Sequence, residues 1–157
     1  MIHLISTPFH EANPAFSPDG RWLAFTSDES GRTELYVQAF EAGEAPRLTG
    51  ERHLVSRNGA IALRWRRDAK ALFFLSSNSW VYAAPIVLSP LPNIGEAVSL
   101  FAISLEARSA LHSPMGFDVS TDGQRFLIPI VSSPEKSEIV VMQNWEAAIG
   151  RSHSNRN

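Results

Sequence analysis

The sequence predicts an all-β fold of antiparallel, four-stranded sheets, and three observations support this prediction. Short apolar segments alternate with tight turns along the 157 residues, as strands joined by hairpins do. Ten prolines and nine glycines indicate frequent chain reversals rather than long helices. The same order of strand and turn recurs at Phe16, Trp65 and Val119, a spacing of roughly 50 residues that is typical of β-propeller blades.

The first repeat is the clearest of the three. Two short apolar strands flank the reversal at 17–20, a third strand covers 34–40 and a fourth covers 45–49. Strand, turn, strand, turn, strand, turn and strand make a four-stranded meander, which is one blade. The sequence therefore predicts a blade at about 10–50, with residues 2–6 as a strand of a preceding or neighbouring blade.

The second and third repeats follow the same order of elements and are predicted at about 58–103 and 112–145. Known propellers close a ring of about four to eight blades, and about three blades cannot do so alone. Residues 1–150 are therefore predicted to form a partial β-propeller, or one half of a dimeric six-bladed ring, and self-association is expected. The polar tail at 151–157 is expected to be disordered.

An aspartate stands at the first turn of every repeat. Asp19-Gly20 and Asp122-Gly123 suit a two-residue hairpin, because glycine accepts a positive φ without steric cost. Ala69 follows Asp68 in the second repeat, and alanine resists a positive φ. That repeat is expected to contain either a different turn type or local backbone strain.

Composition excludes several classes of function. The formal net charge of −2 gives no broad positive field for nucleic acid, and the absence of cysteine removes thiolate chemistry. No apolar run is long enough to insert into a membrane. His10-Glu11 begins like the zinc motif H-E-x-x-H, but the second histidine is absent and Pro14 breaks the required helix. Neither a metal nor another cofactor is predicted.

No catalytic motif is complete in the sequence. The nucleophile elbow G-x-S-x-G is absent. Residues 133–136 satisfy S-x-x-K, but they lie in a polar loop without the companion motifs of that acyl-transfer site. The basic residues around Trp65 alternate along a strand and are expected to face solvent. The sequence therefore predicts no catalytic residues and no enzymatic activity for this chain.

One group of polar residues is predicted to form a site. In a propeller the first strand of each blade lines the central channel, so the loops that lead into these strands converge at the channel mouth. We expect a small polar ligand or a peptide terminus to bind there, the alternative being a solvated rim. The residues of this candidate site are His10, Glu11, Asn13, Arg57, Asn58 and His112.

The turn motifs resemble those of a known family. The sequence F-S-P-D-G-R at 16–21 and S-D-E-S-G at 27–31 resemble the repeats of the TolB-like, WD-repeat-like propellers of bacteria, and S-T-D-G at 120–123 resembles them with Thr for Pro. This sequence departs from the family pattern at 66–69 and 76–78. It implies a periplasmic or extracytoplasmic location. More narrowly, residues 7–14 and 140–145 resemble C-terminal propeller segments attached to bacterial Ser/Thr protein kinases, in which the propeller is a sensor or scaffold.

These observations lead to one expected function and two alternatives. The chain is expected to be a non-catalytic module that recognises a protein, a peptide or a small ligand, including as the sensor or scaffold part of a bacterial signalling protein. A propeller that gates a prolyl-peptidase-like hydrolase is the first alternative, and a purely structural scaffold is the second. A hydrolase domain with a G-x-S-x-G motif elsewhere in the parent polypeptide would distinguish the first alternative, and the absence of any ligand at the channel mouth would distinguish the second. A Ser/Thr kinase domain elsewhere in the parent polypeptide is compatible with the expected signalling role.

Overall fold

The computed structural model describes residues 3–89, 92–103, 116–133 and 136–143. These residues form antiparallel strands in three separate sheets and contain no helix. The predicted all-β class is therefore confirmed, and each sheet corresponds to one of the three sequence repeats.

Sheet 1 is a complete four-stranded meander in which each strand pairs with the next along the chain. Its fourth strand starts near the predicted position but continues to Leu54, because His53 and Leu54 also pair with the third strand after an irregularity in the register. The strands are β1 (Glu11–Phe16), β2 (Trp22–Ser27), β3 (Glu34–Glu41) and β4 (Arg47–Leu54).

Sheet 2 has a divided fourth strand. Two short strands pair antiparallel with β7 (Trp80–Val87), one at each of its ends, and residues 95–97 lie between them. The amide of Gly95 donates a hydrogen bond to the carbonyl of Pro85 (2.8 Å), which holds this connection against β7. The strands are β5 (Ala62–Trp65), β6 (Ala71–Leu75), β7 (Trp80–Val87), β8 (Asn93–Ile94) and β9 (Val98–Ala102).

Sheet 3 contains three strands within the described residues, paired in chain order. They are β10 (Asp118–Val119), β11 (Arg125–Ser133) and β12 (Lys136–Gln143). The beginning of the third predicted blade, at 112–115, and the predicted tail at 151–157 lie outside the described residues.

The first turn of each sheet has the same hydrogen bonds. In sheet 1 the amide of Gly20 donates to the carbonyl of Ser17 (2.8 Å), and the Asp19 carboxylate accepts from the Arg21 amide (3.2 Å). Ser17 pairs with Trp22 across a loop of four residues. The expected two-residue hairpin is therefore wrong: aspartate is the third residue of a β-turn, where its carboxylate can accept the amide two residues on.

Ala69 adopts the same left-handed conformation as the glycines at the equivalent positions. Its φ is 59°, against 70° for Gly20 and 74° for Gly123, and its amide donates to the Arg66 carbonyl (2.9 Å). The turn type is conserved among the three sheets, so the expectation of local strain is confirmed at Ala69. A left-handed conformation costs a non-glycine residue about 1–2 kcal/mol.

The sheets pack face to face through two apolar clusters. Alternate residues of β6 point to opposite faces, so that Leu72 and Phe74 meet sheet 1 while Phe73 and Leu75 meet sheet 3. This explains the unbroken apolar sequence of β6, which is buried on both sides. At the second interface Phe126 is fully buried, and its ring meets that of Phe73 edge to face at a centroid distance of 5.0 Å.

The first strands of sheets 1 and 2 are neighbours, joined by side chains rather than by a hydrogen-bonded ladder. The indole Nε1 of Trp65 donates to the carbonyl of Ala15 (3.1 Å), and Asn13 Nδ2 donates to the carbonyl of Ile61 (3.2 Å). Adjacent first strands in separate sheets are the arrangement found around a propeller axis.

A β-bulge interrupts β1 at Asn13 and Pro14. Ala12 pairs with Thr26 and Ala15 pairs with Ala24, so that two residues of β1 lie opposite Phe25 alone. Asn13 has a φ of 52°, which asparagine tolerates better than most residues. The bulge is what directs the Asn13 amide toward sheet 2.

Residues 3–6, expected to belong to a strand, lie in no strand of the described chain. A strand requires a hydrogen-bonded partner, and this segment pairs with none of the three sheets. Instead, Ile5 packs against the cluster of Leu23, Phe25 and Tyr36 on the outer face of sheet 1. Pairing with a neighbouring blade stays a prediction.

Candidate functional site

Glu11 and Asn13 lie on β1, beside the predicted axis, and both side chains are engaged. Glu11 Oε1 accepts from Thr7 Oγ1 (2.5 Å) and is 3.6 Å from Arg52 Nη1. Asn13 Nδ2 bridges Thr26 Oγ1 and the Ile61 carbonyl, each at 3.2 Å. The His10 side chain is exposed, whereas its backbone amide donates to Asp28 Oδ1 (2.9 Å).

A buried carboxylate positions the segment that carries Arg57 and Asn58. The Glu34 side chain is only 2% exposed. Its Oε2 accepts from the Ser56 hydroxyl and from the Gly59 amide (3.0 Å), and its Oε1 accepts from Arg32 Nε. These bonds compensate the cost of burying a charged group.

This segment, residues 55–61 between β4 and β5, is the linker between sheets 1 and 2. Two further bonds hold the linker from outside. Arg32 Nη2 donates to the carbonyl of Arg57, and Ser77 Oγ donates to the carbonyl of Asn58 (3.1 Å). The backbone of both residues is therefore fixed, while both side chains are exposed.

A cavity of about 380 Å³ lies where this linker faces the outer strands of sheet 2. This volume falls within the range of about 300–1,000 Å³ that is usual for small-molecule sites. Polar groups from two separate segments border the cavity, and apolar side chains complete its wall. Among the residues that line the cavity are Arg57, Asn58, Phe74, Tyr82, Ile94 and Glu96.

The structure therefore brings together only part of the predicted site. Arg57 and Asn58 share the cavity, but His10, Glu11 and Asn13 do not line it, and His112 lies outside the described residues. Sequence reasoning missed Tyr82 and Glu96, because no motif surrounds them and only the pairing of β7 with β8 places them near the linker. The channel-mouth site stays a prediction.

The carboxylates with shifted pKa values belong to the turns rather than to the cavity. Arg66 lowers the pKa of Asp68 to about 2, with a hydrogen bond from the Lys70 amide adding to the effect. The Ser17 and Ser120 hydroxyls lower the pKa values of Asp19 and Asp122. Each shift follows from donors that stabilise the ionised form, which indicates a structural role.

The described part of the chain contains neither a cluster of metal-ligating side chains nor a membrane-spanning helix. Nowhere in residues 3–89, 92–103, 116–133 and 136–143 do three His, Asp or Glu side chains converge in a way that would hold a metal ion. A helix with the length and apolar character to cross a membrane is not present among these residues either.

Known structures resemble this arrangement of sheets. The oligogalacturonate lyase of Vibrio parahaemolyticus matches 89% of this chain and 39% of its own, with a TM-score of 0.55 and 11% identity. The fold is that of a β-propeller. TolB from Acinetobacter baumannii matches 89% of this chain and 42% of its own, with a TM-score of 0.42 and 17% identity. The chain thus spans less than half the length of either protein.

A sequence relative covers a shorter part of the chain. An uncharacterized peptidase, YuxL of Bacillus subtilis, is 48% identical over 46 residues, which are 29% of this chain and 7% of that protein. No protein-family model matches the chain.

These comparisons correct one expectation from the sequence. The prediction that the chain is not an enzyme took the propeller as a sign of a non-catalytic module. That inference is wrong, because the same fold occurs in a lyase and a sequence relative is called a peptidase. The finer resemblance to segments attached to protein kinases stays a prediction.

Proposed function

We propose that this chain is the propeller part of a peptidase and that it selects peptides on their way to the catalytic centre. The observation that carries this proposal is the identity of 48% over 46 residues with a protein called a peptidase. The sequence has no G-x-S-x-G motif, so the proposal assigns the nucleophile to a separate domain.

The junction between the first two sheets supports a gating role. Asn13 and Trp65 make single side-chain hydrogen bonds across it, to the carbonyls of Ile61 and Ala15. Loss of these two bonds would widen the passage beside β1 without breaking the ladder of either sheet, at a cost of about 1 kcal/mol for each neutral hydrogen bond. The apolar cluster around Leu72 and Phe74 would still hold the two sheets together.

The proposed peptidase also has an expected location. We place the peptidase in the periplasm or elsewhere outside the cytoplasm, as the resemblance to TolB-like propellers implies. A role in bacterial signalling, through a kinase or another partner protein, stays a prediction from the sequence.

Hydrolysis of two matched substrates tests the proposal. The polypeptide expressed from the complete reading frame is given a short proline-containing peptide and an unfolded protein that carries the same peptide sequence. We expect the short peptide to be cleaved and the unfolded protein to be spared. Asn13→Ala should raise cleavage of the unfolded protein relative to the peptide, because it removes the bond to Ile61.

Asn93→Ala, on the outer strand β8, is the matched control and should leave the ratio of the two rates unchanged. Absence of hydrolysis of both substrates by the polypeptide from the complete reading frame would overturn the peptidase proposal. Equal cleavage of the two substrates by the unsubstituted protein would overturn the gating role.

A further inference from the structure

The cavity between the linker and sheet 2 is bordered by one basic and one acidic side chain, which lie on two different segments of the chain. Arg57 on the linker and Glu96 on the β8–β9 connection are exposed side chains. Neither makes an ion pair or side-chain hydrogen bond within the described residues. A ligand that carries both an anionic and a cationic group would satisfy both of them.

The apolar and amide side chains of the cavity lining indicate which uncharged ligand groups would fit there. Phe74 and Tyr82 stack with a centroid distance of 5.3 Å and an interplanar angle of 10°, and Ile94 extends this apolar wall. Asn58 adds a carboxamide that can both donate and accept hydrogen bonds. An apolar side chain next to a peptide group matches these surfaces.

Both polar segments are held in place by backbone hydrogen bonds. Glu34 fixes the linker through Gly59 (3.0 Å), and the bond from the Gly95 amide to the Pro85 carbonyl (2.8 Å) fixes the residue before Glu96. A site with fixed walls loses little conformational freedom on binding. The two polar walls of the cavity are therefore held in place by the fold itself.

We propose that this cavity binds a short zwitterionic peptide, with its terminal carboxylate at Arg57, its terminal ammonium at Glu96 and an apolar side chain against Tyr82 and Ile94. The site differs from the predicted channel-mouth site, because His10, Glu11 and Asn13 do not line it. The inference does not depend on the proposed peptidase function, since it rests on the cavity alone.

Titration calorimetry with two dipeptides tests the inference on the chain itself. The probes are Leu-Phe, with free termini, and acetyl-Leu-Phe-amide, in which both charges are removed. We expect Leu-Phe to bind about five- to tenfold more tightly, the effect of charged hydrogen bonds at partly exposed positions. Arg57→Ala and Glu96→Gln should each reduce this preference.

Two exposed residues outside the cavity provide matched controls. Arg67→Ala and Glu44→Gln remove the same charges elsewhere on the surface and should leave the preference unchanged. The inference is overturned if Leu-Phe shows no saturable binding, if the two probes bind equally, or if the cavity variants behave like the controls. Because this experiment measures binding, it can fail while peptide hydrolysis by the complete protein succeeds, and the reverse also holds.

Discussion

The Glu34 carboxylate accepts a hydrogen bond from the Gly59 amide at 3.0 Å, and this bond ties the start of β3 to the linker between sheets 1 and 2. The same oxygen accepts from the Ser56 hydroxyl. Ser56 Oγ in turn accepts from the Leu35 amide at 2.8 Å. One buried side chain thus determines the path of the segment that borders the cavity.

Glu34→Ala should lower the free energy of unfolding by about 3 kcal/mol, because it leaves buried donors without an acceptor. Ser56→Ala should cost about 1 kcal/mol, since it removes one hydroxyl from the same network. Glu44→Ala, at an exposed position, is the control and should change little. Urea denaturation measures all three, and equal stability of Glu34→Ala and Glu44→Ala would contradict this assignment.

Ala69→Gly should raise the free energy of unfolding by about 1 kcal/mol, because glycine adopts a φ of 59° without strain. The reverse change, Gly20→Ala, should be destabilising by a similar amount. No atom lies within 4 Å of a Cβ built at Gly20, so this variant isolates the backbone effect. Thermal or urea unfolding checks the opposite signs, and the same sign for both variants would refute the shared turn geometry.

Asp68 makes stability depend on pH in a defined direction. Arg66 lowers its pKa from 3.8 to about 2, so the stabilisation is complete above the ordinary value and is lost as the pH falls through about 2. Asp68→Asn should therefore differ most from the unsubstituted protein near neutral pH and converge with it in acid. The difference should be small, because Asp68 is 44% exposed. A constant difference between the two proteins from neutral pH to about 2 would rule out this linkage.

Phe126→Ala should cost about 3 kcal/mol or more, because it opens a cavity in the interface between sheets 2 and 3. Leu127→Ala is a control on the adjacent residue, whose side chain lies on the opposite face of β11 and is 42% exposed. The control should cost less than about 1 kcal/mol. Equilibrium unfolding measures both variants, and similar costs would show that the two sheets do not pack as described.

Self-association of the chain, predicted from the sequence, has a candidate surface. Ile139 and Val141 are 72% and 53% exposed, on the same face of sheet 3 as Leu127. We predict that a second copy covers this face, because about three blades do not close a ring. Light scattering should show a concentration-dependent dimer that Val141→Lys dissociates and that Val87→Lys, on sheet 2, leaves intact. A monomer at high concentration would contradict the prediction.

The turns could be predicted from the sequence because their determinants are local. Asp19, Asp68 and Asp122 each bond to an amide two residues on, and a contact of that range is visible in a short motif. The strain at Ala69 follows from the same motif. The exact loop length could not be predicted from this motif, since turns of two and four residues share the Asp-Gly signal.

The cavity could not be predicted in the same way. Arg57, Tyr82 and Glu96 line one cavity only after β7 pairs with β8 and the linker lies against sheet 2. Their separation along the chain leaves no periodic pattern to detect. Glu34 was also missed, because a glutamate at the start of a strand is expected to be exposed, and its partners at 56 and 59 lie in another segment.

The bulge at Asn13 and Pro14 has a consequence for the free edge of β1. Proline has no amide hydrogen to donate, and the left-handed backbone of Asn13 turns the neighbouring groups out of register. An invading strand from another molecule would find no regular series of donors and acceptors to copy. The side of sheet 1 nearest the axis is therefore protected against edge-to-edge aggregation.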